Sequence, residues 1–249
     1  MPIHSVGIIG YGAFGRFLHS LGQRLYPAAT YRVYSRRATL GEGVFCSFAE
    51  AAQADVVILC GAISEYEEQL LAVLAHARPE TIIVDVATVK EYTSALLATH
   101  ASDRPYLCLH PMFGPESYEK QGESVAGLRI VVTDSTLLVG TYTRFLVQLR
   151  ALGFVVVELS ATEHDRILAE TLFLTHLIGQ TVRAAGIGRT VLDTVSFGFL
   201  LDAVESVAHD TRLFQDVYRF NPHCHAMLER YDAAESAVVR DILGIPSKS

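Results

Sequence analysis

Short, nearly continuous apolar runs alternate with stretches of helical period through the first two thirds of the chain. VGIIG (6–10) opens the series, a helical pattern runs from Ala13 to Leu25, and YRVYS (31–35) follows. DVVILC (55–60), a helix around Glu67 to His76 and TIIVDV (81–86) come next, then a helix near Glu91 to His100 and YLCLH (106–110). LRIVVTD (128–134), a helix through Leu149 and FVVVEL (154–159) extend the series. Apolar runs without alternation are the mark of parallel strands covered on both faces. Their alternation with helices predicts right-handed βαβ crossovers and an open, doubly wound parallel sheet, an α/β fold.

The pattern changes at Ser160. SATEHD reads as a helix start, with Ser160 or Thr162 as N-cap and Glu163 or Asp165 in the first turn. No strand-like alternation recurs from there to Leu243, and breaks near Gly186, Gly198 and Asn221-Pro222 separate about four helical segments. Two domains are therefore expected, 1–160 and an all-helical 161–249. So small a helical core favours completion by a second copy of the chain, so a homodimer through this domain is expected.

Composition narrows the class. The chain has 249 residues, 50% of them hydrophobic and 19% charged, which excludes intrinsic disorder. No apolar run approaches transmembrane length. A net charge of −7 argues against a nucleic-acid partner. Cys46, Cys60, Cys108 and Cys224 are scattered, without metal or disulfide spacing. His223-Cys224-His225 has no further ligand cluster to support a metal and reads as a loop or helix start. MPIHSVGIIG lacks a signal-peptide pattern, so a cytoplasmic globular protein is expected.

Gly10-Tyr11-Gly12-Ala13-Phe14-Gly15 is a complete GxGxxG that follows a strand and opens a helix. The first glycine permits the tight turn, the second lets backbone approach a pyrophosphate, and the third lets helix and strand pack closely. The pyrophosphate would sit on the positive end of the helix from Ala13. The motif's place inside a βαβ unit predicts a Rossmann-type dinucleotide site, with Cys60 ending the neighbouring strand. At the end of the second strand, where NAD sites carry a carboxylate, stand Ser35, Arg36 and Arg37. A hydroxyl and two guanidiniums suit a 2′-phosphate, so NADP is expected over NAD; the bland alternative is two solvated arginines at a strand end.

Ligands of doubly wound sheets bind beyond the carboxyl ends of the strands. There lie DVATVK (85–90) and HPMFGPES (110–117). By position alone, His110 is equally a proton acceptor for a substrate hydroxyl and a strand cap. Thr88 could orient the same hydroxyl, or cap the next helix. Farther on, His164 and His176 would be about 120° apart on an ideal helix, whereas Asp165 and His176 nearly share a face. His176, in the apolar run LFLTHLIG, reads from periodicity as a core histidine.

GIIGYGAFGRFL, DVVILC, DVATVK, HPMFGPES, EHDRILA, FLTHLIG and FLLDAVESVAHD occur in an order that resembles the prephenate/arogenate dehydrogenase family of tyrosine biosynthesis. The likeness is to the plant-type arogenate branch and runs from about residue 4 to about residue 240. It implies a Rossmann domain followed by a helical dimerisation domain. The implied reaction is oxidative decarboxylation: hydride passes from C4 of a cyclohexadienyl ring to the nicotinamide, the C1 carboxylate leaves as carbon dioxide, and the ring becomes aromatic. His110 resembles the histidine that accepts the ring hydroxyl's proton. Thr88 stands where the family usually has serine, Gly114 belongs to the substrate-binding stretch, and His176 resembles a pocket-lining histidine. Asp210 matches an acidic residue held to bind the ammonium of arogenate. Arg212 departs from the plant-type aromatic and resembles the arginine that binds a side-chain carboxylate in prephenate-using members, so activity on arogenate with some on prephenate is expected. Rival readings are a small-acid or imine reductase of similar plan, which leaves HPMFGPES unexplained, and a dinucleotide-binding regulator without turnover.

Overall fold

The structure is a computed structural model that describes residues 3–244. Contacts divide the chain into two compact units after His164. The first holds β1 (Ser5–Ile9), α1 (Ala13–Leu25), β2 (Thr30–Tyr34), α2 (Phe48–Ala52), β3 (Val56–Leu59), a 3-10 turn Ile63–Glu65 and α3 (Tyr66–His76). It continues with β4 (Ile82–Asp85), α4 (Lys90–His100), β5 (Tyr106–Pro111), α5 (Pro115–Lys120), β6 (Arg129–Ser135), α6 (Val139–Ala151) and β7 (Val155–Glu158). The division falls inside α7 (Ala161–Leu168). A π-helical Ala169–Phe173 follows, then α8 (Leu174–Ala184), α9 (Val195–Ser206), α10 (Thr211–Phe220) and α11 (Cys224–Ile242).

The strands form one sheet in the order β2-β1-β3-β4-β5-β6-β7. β1 to β5 are parallel, as their unbroken apolar runs dictate. β6 pairs antiparallel to β5, with a register shift between Cys108 and Leu109, and β7 is parallel to β6. The sheet is therefore mostly rather than wholly parallel. A buried run such as Ile130, Val131 and Val132 looks alike in either direction, so its pattern carried no sign of the reversal.

Successive residues of β5 serve opposite faces. Tyr106 and Cys108 join Val57, Leu59, Leu70 and Leu97 in one buried cluster; Leu107 and Leu109 join Ile130, Leu146 and Phe154 in the other. Asp55 fastens the amino ends of the strands: it accepts from the amides of His4 and Ser5 and pairs with Arg78 at 2.7 Å. These contacts hold its carboxyl well below the usual carboxylate range.

The short helix α2 was not visible as periodicity. Its signature is Ser47–Glu50, a capping box in which the Ser47 hydroxyl accepts from the Glu50 amide and the Glu50 carboxylate accepts from the Ser47 amide. In the helical unit, Ser160 is the N-cap of α7, its hydroxyl accepting from the Glu163 amide. The break expected at Gly198 does not occur, because α9 runs through it from Val195 to Ser206. The helix begins instead at Thr194, whose hydroxyl accepts from the amide of Phe197. The capped start and the burial of Leu201 and Val204 offset the roughly 1 kcal/mol that an internal glycine costs.

α2 lies so close to β1 that a Cβ on Gly7 would come within 2.1 Å of the Ala51 carbonyl oxygen. Since the obstacle is backbone, Gly7→Ala is expected to destabilise the protein by about 1–3 kcal/mol in urea unfolding. An unchanged midpoint would mean that α2 can lift from the sheet without cost.

Candidate active site

The sheet order reverses direction at β1, which lies between β2 and β3. A crevice opens at such a switch point beyond the strand ends. Gly10 follows β1 at φ +103°, and a Cβ there would meet the carbonyl of Cys60 at 2.9 Å. Gly15 packs closer still: its Cβ would fall 2.2 Å from the Gly10 oxygen. Gly12 is different, because a Cβ there would meet nothing within 4 Å. It is the N-cap of α1 and offers no side chain to the helix's first amides. Two glycines thus close the turn while the third leaves open space before an uncapped helix end, which fits a pyrophosphate.

Other members of the loop are held by contacts. Tyr11 packs edge-on against Phe45 and its hydroxyl lies 3.2 Å from Nδ1 of His19. Ala13 is exposed at the first helical position, and Phe14 is half-buried against Phe17. Burial pushes the Cys60 thiol up to about 12, so it stays protonated. After β2, the Ser35 hydroxyl accepts from the amide of Arg37, and Arg36 pairs with Glu65 at 2.8 Å.

The same carboxyl edge carries the ends of β4 and β5. Asp85 and Lys90 are fully buried and paired at 2.6 Å. The Asp85 carboxylate also accepts from the Thr93 hydroxyl at 2.6 Å and the Ala87 amide at 2.8 Å. The Lys90 ammonium donates to the carbonyl of Leu109 at 3.0 Å, the residue before His110. Thr88 lies half-buried within this turn; the N-cap of α4 is Val89, so the capping role open to Thr88 falls away. Gly114 is the N-cap of α5, with open space around its Cα.

His110 is buried, and its Nδ1 lies 2.9 Å from Nε2 of His164. The rings meet nearly edge-on at 5.1 Å. Burial, then the neighbouring His164 and Lys90, hold the His110 imidazole well below the usual histidine pKa and keep it neutral. Sequence reasoning singled out DVATVK and His164 but gave His164, Asp85 and Lys90 no part beside His110. The spacing of EHD and DVATVK places them on elements but does not bring a helix start 54 residues away onto a strand end.

In the helical unit, His176 is buried and stacks on Phe214 at 6.0 Å. Its Nδ1 has no hydrogen-bond partner among the described residues, so it is not a satisfied core histidine. Burial lowers its pKa, and the Asp210 carboxylate opposes that shift. The face shared by Asp165 and His176 on an ideal helix does not survive, because the π-helical Ala169–Phe173 lies between them. Asp210 is the N-cap of α10, and Arg212 stands in its first turn. His223-Cys224-His225 is the start of α11.

Comparison with known proteins supplies the family. A model described as "Prephenate dehydrogenase, nucleotide-binding domain" matches residues 32–131, a span that includes Thr88, His110 and Gly114. Arogenate dehydrogenase 2, chloroplastic, of Arabidopsis thaliana is 30% identical over 96% of this chain and 70% of its own length. Arogenate dehydrogenase 1, chloroplastic, of the same plant is 31% identical over 97% of this chain, which spans 40% of that relative. Among solved structures, prephenate dehydrogenase from A. aeolicus in complex with hydroxyphenyl propionate and NAD+ matches with a TM-score of 0.73. That likeness, at 16% identity over 97% of this chain and 93% of the other, is one of fold. No helix of the described residues is long and apolar enough to cross a membrane. With a relative 30% identical along most of both chains, this chain belongs to the prephenate/arogenate dehydrogenase family.

Proposed function

We propose that the protein oxidatively decarboxylates arogenate, and prephenate less well, with NADP as the hydride acceptor. The observation that carries this reading is His110, a buried neutral imidazole on the carboxyl edge of the sheet whose Nδ1 is engaged by His164. If Nδ1 carries the proton and donates it to Nε2 of His164, Nε2 of His110 keeps its lone pair. That nitrogen takes the proton of the ring hydroxyl as electrons leave the adjacent carbon. Thr88 offers a second hydroxyl to orient the same group, and Gly114 leaves room for the ring. Bound through Gly10, Gly12 and Gly15, a nicotinamide dinucleotide would supply the electron sink. Loss of carbon dioxide makes the ring aromatic, so the protein chiefly holds the ring and one O–H bond in place.

The preference for NADP rests on Ser35, Arg36 and Arg37 after β2, where no carboxylate follows the strand. Substrate choice is assigned to the helical unit. The Asp210 carboxylate suits the ammonium of arogenate and repels a keto acid, while Arg212 suits a side-chain carboxylate. His176, buried with an unpartnered nitrogen, is a polar group awaiting a ligand. Val191, Leu192, Val195 and Phe199 of the helical unit are each exposed, apolar surface suited to a second copy of the chain.

His110→Asn is expected to lower kcat by about 10²–10⁴-fold while leaving the dissociation constant for NADP unchanged. In the wild type kcat/KM should stay flat through neutral pH, since the base remains deprotonated there, and fall only well on the acid side of the usual histidine range. His164→Ala removes a neighbour that depresses the His110 pKa, so the acid limb should move to higher pH. An identical limb in both proteins would remove His110 as the base.

Initial rates at 340 nm, with both acids crossed against both nicotinamide cofactors, should be fastest for arogenate with NADP. Ser35→Asp should shift the cofactor ratio towards NAD, and Asp210→Asn should narrow the preference for arogenate by about tenfold or more. An unmoved acid ratio in the second variant would take Asp210 out of recognition.

Light scattering should report a dimer for the wild type and a shift towards monomer for Phe199→Glu, which buries a charge in the apolar contact. A monomeric wild type would reject the shared face.

A further inference from the structure

The ion pair between Arg36 and Glu65 crosses the crevice at the switch point. Arg36 lies just past β2, on one side of β1; Glu65 ends the 3-10 turn that follows β3, on the other. Their side chains meet at 2.8 Å above the carboxyl end of β1, where Gly10 turns against Cys60. The two partners differ in freedom. Arg36 is 71% exposed and Glu65 only 25%, and the Glu65 carboxylate also accepts from the Gln69 amide at 3.4 Å. Glu65 is the anchored end and Arg36 the movable one.

We infer that Glu65 is a second determinant of cofactor discrimination, set against the arginines. It supplies the acidic group that the end of β2 lacks, and it does so from the opposite wall of the crevice. The inference rests on the proposed role of Arg36 at a 2′-phosphate. A guanidinium has five N–H donors, so Arg36 can meet a phosphate while still donating to Glu65. The phosphate dianion would then stand one guanidinium away from the carboxylate, about 5–6 Å, where like charges repel even through partial screening. An unphosphorylated ribose carries no such charge, and its hydroxyls can donate to the same carboxylate. Glu65 therefore holds Arg36 across the crevice, weakens the grip on the phosphorylated cofactor and spares the plain one. The outcome is moderate rather than strict selectivity.

The test is calorimetric binding to the full chain, without turnover, of NADP+, NAD+ and 2′,5′-ADP. Wild type is compared with Glu65→Gln, Glu65→Ser and Arg36→Ala, each checked by its circular-dichroism melt. Both Glu65 variants should bind NADP+ and 2′,5′-ADP about 3–10-fold more tightly, with NAD+ unchanged or weaker. Arg36→Ala should weaken the two phosphorylated ligands alone. If wild type prefers NADP+ and Arg36→Ala abolishes that preference, but neither Glu65 variant raises it, the Glu65 assignment is overturned while the cofactor reading stands. If wild type binds NAD+ as tightly as NADP+ and Arg36→Ala changes neither, the cofactor reading fails and this inference fails with it.

Discussion

The buried pair of Asp85 and Lys90 is the joint on which the carboxyl edge of the sheet depends. Neither side chain is exposed, and each charge is answered: the carboxylate by Lys90, Thr93 and the Ala87 amide, the ammonium by Asp85 and the Leu109 carbonyl. One interaction thereby ties the end of β4, the start of α4 and the last turn of β5. Removing one member of such a pair leaves the other charge stranded, at a cost of about 3–5 kcal/mol. The same ammonium adds a positive charge near His110 and helps keep that imidazole unprotonated. Structural cohesion and the protonation state of the candidate base have a common origin.

The glycine turn and the histidine pair give the first unit two unlike settings. Backbone amides and open space at Gly12 suit a fixed anion, whereas the dry setting of His110 suits a proton in transit. The helical unit carries groups of another kind: a buried imidazole stacked on Phe214, with a carboxylate and a guanidinium at the start of α10. On the proposed reading, these are the groups that would tell one acid from another.

The strands and the glycine loop were legible because both are local. An apolar run or a GxGxxG declares itself within a few residues, and β1 to β5 stand where those runs lie. His110 was legible as a candidate from its strand end and from HPMFGPES, but its partner was not. No period joins His110 to His164, and the Lys90–Leu109 bond is equally silent in the sequence. Helical geometry failed at the π segment, where one wider turn breaks any angle reckoned at 3.6 residues. Glu65 was hidden in a different way, since a carboxylate sought after β2 arrived from the turn after β3.

The reversal of β6 has a topological result. Its final residue, Ser135, comes out at the rim where β1 to β5 begin, and Thr136 there binds the backbone of Arg104 and Tyr106 at the entry to β5. The connection from β6 to α6 therefore runs along the rim remote from the glycine crevice. An insertion in that strand-to-helix bend would emerge on the opposite rim and leave the space before Gly12 uncrowded.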